Sequence, residues 1–131
     1  SLDVSAKAIG LSKSDSSRLI ASPFHAFYRK HWKNDRQTLS HIFQQNKISG
    51  LILGWPLTPR GKQASRCQSI QDFIQSLSPT VPVCLWDERF STQHVPYHTA
   101  ANQKSTKLWD NVIAASIILN RFLYWYSFNS K

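Results

Sequence analysis

Asp3 lies inside the opening apolar run, LDVSAKAIGLS. Asp87 and Glu88 end a second one, VPVCLWDE, and Asp110 opens the last amphipathic segment, DNVIAASIILNRFL. Carboxylates are expensive to bury unless they are paired or bind a cation. Four of only seven acids thus stand within or at the ends of core-forming elements, in a chain with 16 Lys and Arg and a net charge of +9. Such hard oxygen donors suit Mg²⁺ or Mn²⁺, and the basic balance suits a polyanion. Two such ions about 3.5–4 Å apart can activate a water and stabilise a leaving oxygen. That is the chemistry of phosphodiester hydrolysis.

The acids are not equivalent. Asp3 sits mid-strand, where its backbone is fixed, and is the first candidate for a bridging ligand; its alternative is a turn carboxylate. Asp87 and Glu88 are neighbours at a strand end, so their side chains point to opposite faces and only one can look toward Asp3. Asp110 begins a helix, where a carboxylate also interacts well with the positive end of the helix dipole. Arg89 follows the paired acids and could bind one of them or a phosphate, and Thr92 could cap the next segment or touch a nucleic-acid backbone. Lys7, Lys13, Arg60, Lys62, Arg66, Lys104 and Lys107 fall in or near the loops expected around the acids. They are candidates for salt-sensitive phosphate contacts, although each taken alone fits a solvated surface charge. Trp55, Trp86 and Trp109 flank the same regions and could stack on bases; core packing is the simpler expectation for Trp86.

The elements that would position these residues are legible from periodicity. Short apolar stretches within Leu2–Ile9 and Gly10–Ser12, divided by Ala6-Lys7, read as a strand, a tight bend and a second strand. Arg18–Tyr28 reads as a third strand, placed at an edge by Pro23. Asn34–Ile48 carries Leu39, Ile42, Phe43 and Ile48 at helical spacing, with Asn34 or Asp35 as N-cap. GLILGW at 50–55 has the continuous apolar character of a central parallel strand. A loop over 56–61 leads to a helix over 63–77 with Cys67, Ile70, Phe73, Ile74 and Leu77 as its buried stripe. A strand over 81–86 follows, then a polar stretch over 91–105 and a final helix over 107–126. The order β-β-β-α-β-α-β-α predicts an α/β domain with a mixed five-stranded sheet and helices on both faces.

The chain of 131 residues suits a single domain with a real core. Cys67 and Cys84 do not have metal-ligand spacing, and nothing suggests a disulfide framework, so a reducing compartment is expected. The last segment is the most hydrophobic, but Asn120 and Arg121 interrupt it short of the ~20 apolar residues of a membrane span. No membrane partner is expected. The chain has no methionine and opens within a strand. That fits a removed leader, as in a protein imported into a mitochondrion or plastid, or a trimmed piece of a longer, cytoplasmic one.

Four words carry a resemblance. LDVSAKAIGLSKSD at 2–15 resembles the opening of the YqgF/RuvX family. ILGWPLTPRGKQASRCQSIQDF at 52–73 is similar to its glycine-proline loop and following helix. WDERFST at 86–92 is close to its most diagnostic word, and LWDNVIAASIIL at 108–119 is similar to its last helix. Together, in order, they cover nearly the whole chain. The resemblance implies a ribonuclease H-like fold and divalent-metal-dependent phosphodiester hydrolysis, with Asp3, Glu88 and Asp110 as metal ligands. It prefers Glu88, with Asp87 in support, although the two could be exchanged. It also implies ribosomal RNA as a partner, through maturation of the 5′ end of the small-subunit precursor, or a four-way DNA junction as substrate.

The sequence departs from the family pattern at Ser5, where glycine is usual, at Ala6, at Trp55, Pro59 and Arg60 in the loop, and at Pro96. Losing the glycine could crowd a phosphate approaching the backbone. These departures leave a second expectation open. It is a weakly catalytic or inactive RNA-binding subunit on the same scaffold, associated with ribosomal proteins in an organelle ribosome or its assembly complex.

Overall fold

The computed structural model describes residues 1–55, 65–87 and 107–129. The order is β1 (Leu2–Val4), β2 (Ala8–Ser14), β3 (Ala21–Tyr28), α1 (Trp32–Gln45), β4 (Leu51–Trp55), α2 (Ser65–Leu77), β5 (Val83–Asp87) and α3 (Lys107–Asn129). The strands form one sheet in the order β3-β2-β1-β4-β5. β1 and β2 are antiparallel, as are β2 and β3; β1, β4 and β5 run parallel. This is the mixed, ribonuclease H-like α/β topology that the element order predicts.

Strand alternation assigns the two faces. Leu2, Ile9, Leu11, Leu51 and Leu53 point to one side and join Leu39 of α1 and Ile70, Phe73 and Leu77 of α2 in the main core. The other side packs on α3, where Ile52 meets Ile118, Leu119 and Leu123, with Trp86 and Phe122 against them. β2 offers α3 only small groups, Ala8, Gly10 and Ser12, all buried. The Ser12 hydroxyl donates to the Ala115 carbonyl at 3.0 Å. α3 therefore lies close on the sheet, burying Val112, Ala115, Ser116, Ile118, Leu119 and Leu123 at three- and four-residue spacing. No helix among the described residues is long and apolar enough to cross a membrane.

The sequence placed the strands within two residues at most ends, and β3 at the edge as Pro23 requires, beside a register shift between Leu11 and Ser12. Helix α1 differs. It starts at Trp32, two residues early, with His31 rather than Asn34 or Asp35 as N-cap and no side-chain cap. Packing decides this. The Trp32 ring meets Phe73 edge-on at 5.2 Å between centroids, which pulls the first turn onto α2. Asp35, buried within that turn, instead accepts from the Lys30 N–H at 3.2 Å and 3.3 Å. The helix ends at Gln45. Lys47, with φ of 51°, turns the chain, and the Ile48 N–H reaches back to the Phe43 carbonyl, the hydrogen-bond pattern of a Schellman ending.

The β2–β3 hairpin closes over Asp15. Its carboxylate accepts from the Ser17 hydroxyl, from the Leu19 N–H at 2.8 Å and from the Ile20 N–H at 3.0 Å. The Ser17 hydroxyl first, then the two amides, hold its pKa down to about 2. A folded pKa below the unfolded one stabilises at higher pH. The hairpin tip should hence be fully ordered above the usual carboxylate range and loosen as pH falls through about 2. A carboxyl NMR titration of Asp15, followed with the Leu19 and Ile20 amides, should give one shared midpoint near that value; a midpoint at the usual carboxylate range would refute it.

Candidate active site

The parallel strands β1, β4 and β5 end together, at Val4, Trp55 and Asp87. In open α/β sheets, ligands gather outside these carboxyl ends. Asp3 is in the middle of β1, half-buried. Its neighbours Leu2 and Val4 face the α1–α2 core, so Asp3 faces α3. Its partner across the ladder is Gly10. A Cβ at Gly10 would lie 2.2 Å from the Asn111 carbonyl carbon, 2.4 Å from its oxygen and 2.5 Å from the Val112 nitrogen. Real Cβ atoms do not approach backbone so closely, so glycine is obligatory here. The absence of that one carbon lets the first turn of α3 sit directly against the sheet beside Asp3.

Asn111 fixes the junction. Buried, it directs its Nδ2 toward the Asp3 carbonyl at 3.4 Å, the Ser5 hydroxyl at 3.3 Å and the Ala8 carbonyl at 3.4 Å. It joins α3 to β1, to the turn and to β2 at one point. Asp110, the residue before it, is exposed in the first turn of α3. Asp3 and Asp110 are thus delivered to the same end of the sheet, on the same face, although 107 positions separate them in sequence.

Ser5, which stands where glycine was expected, is engaged rather than obstructive. Its hydroxyl donates to the Ala8 carbonyl at 3.0 Å and accepts from the Ala8 N–H at 3.1 Å, tying the β1–β2 turn. Asn111→Ala should cost about 1 kcal/mol, the typical net worth of a lost buried hydrogen bond. Urea unfolding with an unchanged slope would show this; no loss of midpoint would mean the three contacts carry no weight.

The paired acids separate as alternation requires. Asp87 is in register with Trp55 and Trp86 with Gly54. The Trp55 ring packs toward the α1–α2 core and Trp86 toward α3. Asp87 is therefore on the face opposite Asp3. Glu88 lies outside the described residues, as do Arg60, Lys62, Arg89, Thr92 and Lys104. Among the described residues, no three His, Cys, Asp or Glu form a group able to hold a metal ion. Asp3 and Asp110 supply the right donors, hard carboxylate oxygens, as part of the expected set.

The cations divide. Lys7 is exposed on the β1–β2 turn, at the same end as Asp3. Arg66 falls in the first turn of α2 and Lys107 opens α3. Lys13 is elsewhere: it lies beyond the opposite end of β1, on the α1–α2 side, with its ammonium 4.7 Å from the centre of the Phe24 ring and 3.4 Å from the Asn46 amide oxygen. The antiparallel course of β2 carries it away from the acids, so its expected place beside them is corrected. Trp86 is core, as expected, with Phe122 and Trp125 each 5.9 Å away between ring centroids. Gly10, Asn111 and the small β2 face were not recognised from sequence. The alternation Ala8, Gly10, Ser12 was the available signal.

A family model described as "RuvX: Holliday junction resolvase" matches residues 1–124. The chain belongs to the RuvX family. Its RuvX relatives include proteins each named "Putative pre-16S rRNA nuclease". One from Zymomonas mobilis is 34% identical over 122 residues, which is 89% of this chain and 75% of the relative. Another, from Paramagnetospirillum magneticum, is 35% identical over 127 residues, 93% of this chain and 82% of the relative. A third, from Ehrlichia chaffeensis, is 31% identical over 127 residues, 93% and 81%.

Proposed function

We propose that this RuvX-family chain hydrolyses phosphodiester bonds in structured RNA, with the 5′ extension of the small-subunit ribosomal RNA precursor as its substrate. The observation that carries this reading is the close approach at Gly10, which brings the Asp110 turn of α3 to the sheet beside Asp3. The names of the relatives support the choice of RNA, and the net charge of +9 supports a polyanionic substrate. Asp3, Glu88 and Asp110 would hold the metal. The resemblance to the family favours Glu88, and Asp87 is on the face opposite Asp3.

Divalent ions, Mg²⁺ or Mn²⁺ and two in number, would supply the activated water and the stabilised leaving oxygen. The residues of the chain do the positioning. Asp3 is held by a ladder on both sides of β1 and by Asn111, so its carboxylate starts from a fixed backbone. Lys7, on the adjoining turn, would take a flanking phosphate.

The test is cleavage of a 5′-extended small-subunit rRNA precursor with Mg²⁺ or Mn²⁺, with a four-way DNA junction in parallel. RNA cleavage at the 5′ end supports the proposal. Cleavage of the junction alone would move it to the resolvase activity in the family's description. Tight, salt-sensitive binding that persists in EDTA, without cleavage of either, would leave an RNA-binding subunit and overturn it.

A further inference from the structure

Beside the Asp3 end of the sheet, a cleft of about 780 Å³ opens between the start of α1, the β1–β2 turn and α2. Its apolar lining comes from Val4, Trp32, Ile70 and Phe73, and Ser69 and Asp72 of α2 form the far wall. Hydroxyl and carboxylate groups on an otherwise apolar slot are what a flat heterocycle with polar edges needs. Arg29 keeps the cleft in shape. Its guanidinium lies 5.9 Å from the centre of the Trp32 ring and 5.8 Å from that of Phe73, and it donates to the Ser5 carbonyl at 3.0 Å.

The mouth is cationic. The Arg29 N–H donates to the Lys7 carbonyl at 2.8 Å, so Lys7 and Lys30 flank the opening on adjacent chain segments, both exposed. Lys33 and Arg36 continue the positive surface along α1, also exposed and three apart on one helix face. Asp35 and Asp72 also line the cleft, Asp35 buried and accepting from the Lys30 backbone, but the cations around it, Arg29, Lys7, Lys30, Lys33 and Arg36, outnumber these two carboxylates. The cleft is on the α1–α2 face and Asp3 on the α3 face of the same sheet end, on either side of the Ser5–Lys7 turn.

We infer that this cleft receives one unpaired nucleotide of the substrate strand, at the sheet end that carries Asp3, with Lys7 and Lys30 gripping its backbone. The inference rests on the nuclease reading for bringing a nucleic-acid strand to this end of the sheet. The binding it requires does not depend on catalysis. A paired base cannot leave its helix without cost, so the cleft makes the protein prefer single-stranded RNA, or a duplex with an unpaired nucleotide, over continuous duplex.

The experiment measures equilibrium binding in EDTA, with a single-stranded RNA oligonucleotide and a blunt RNA duplex of the same length. The wild type should bind the single strand at least about tenfold more tightly, within the worth of one stacked base. Lys7→Gln with Lys30→Gln should lower single-strand affinity and reduce its salt slope by about 1.4, the value for two phosphate contacts on a single strand. Ser69→Trp changes no charge and should abolish the single-strand preference while leaving duplex affinity unaltered. Equal affinity of the wild type for both RNAs overturns the inference, as does single-strand binding within about twofold of wild type in both variants. Asp3→Asn separates the two readings. If single-strand preference persists in it and responds to Ser69→Trp, the cleft stands even where no cleavage is found. If cleavage is lost in Asp3→Asn but the Ser69→Trp variant keeps the wild-type preference, the nuclease stands and the cleft falls.

Discussion

Replacing Asp3 by Asn should reduce metal-dependent cleavage by at least a thousandfold, about 4 kcal/mol of transition-state stabilisation, while leaving the fold intact. The two atoms exchanged are similar in size, but the amide lacks the charge that a divalent cation requires of a hard ligand. Asp3 is half-buried in the middle of β1, flanked by β2 and β4, with the α3 junction at its carbonyl. Its main-chain partners are untouched by the change, so melting temperature should move little or rise slightly as a buried charge is removed. Cleavage kinetics beside thermal unfolding of the same samples distinguish the outcomes. Activity within tenfold of wild type would remove Asp3 from the site. A large fall in stability would show that its carboxylate holds the sheet together instead of serving chemistry. Asp87→Asn is the comparison. Asp87 is on the α1–α2 face, so its effect on cleavage should be far smaller, and equal loss in the two variants would refute the alternation argument.

Gly10→Ala should be strongly damaging for a change of a single methyl group. The added carbon would meet three backbone atoms of Asn111 and Val112 at 2.2–2.5 Å. Backbone cannot rotate out of the way as a side chain can, so α3 must lift from β2 along its first turns. Overpacking costs about 1–3 kcal/mol and sometimes more, and this contact should fall at or above the upper end. Two further effects add to it. The Ser12–Ala115 hydrogen bond lies one turn further along the same helix, and the three Asn111 contacts lie at the clash itself. Urea unfolding should show a lower midpoint, and cleavage should drop further than stability alone explains, because Asp110 moves away from Asp3. A variant with wild-type stability would mean that α3 can shift without penalty. Wild-type activity in a destabilised variant would detach Asp110 from the chemistry.

Most of the framework is legible in the order of residues alone. Period-two and helical patterns located five strands and three helices, Pro23 placed β3 at an edge, and of the stripe read for α2 Cys67, Ile70, Phe73 and Leu77 are buried and Ile74 half-buried. These features are local, because each depends on side chains within a few positions of one another. Asp3 and Asp110 are singled out for the same reason, one an acid inside an apolar segment and the other at the start of one. What the sequence could not decide was long-range. The N-terminus of α1 moved to Trp32 because a ring on α2 was available to pack against it. Lys13 lies away from the acids because β2 runs antiparallel to β1, a consequence of the tight bend already legible between them. The juxtaposition of Asp3 with the Asp110 turn depends on Gly10 and Asn111 meeting across about a hundred residues, and on a missing methyl group as much as on any residue present. The faces of Asp87 and Trp86 were likewise set by register with β4, not by their order in the chain. Local chemistry chose the acids; close packing of one helix on one glycine brought them to the same end of the sheet.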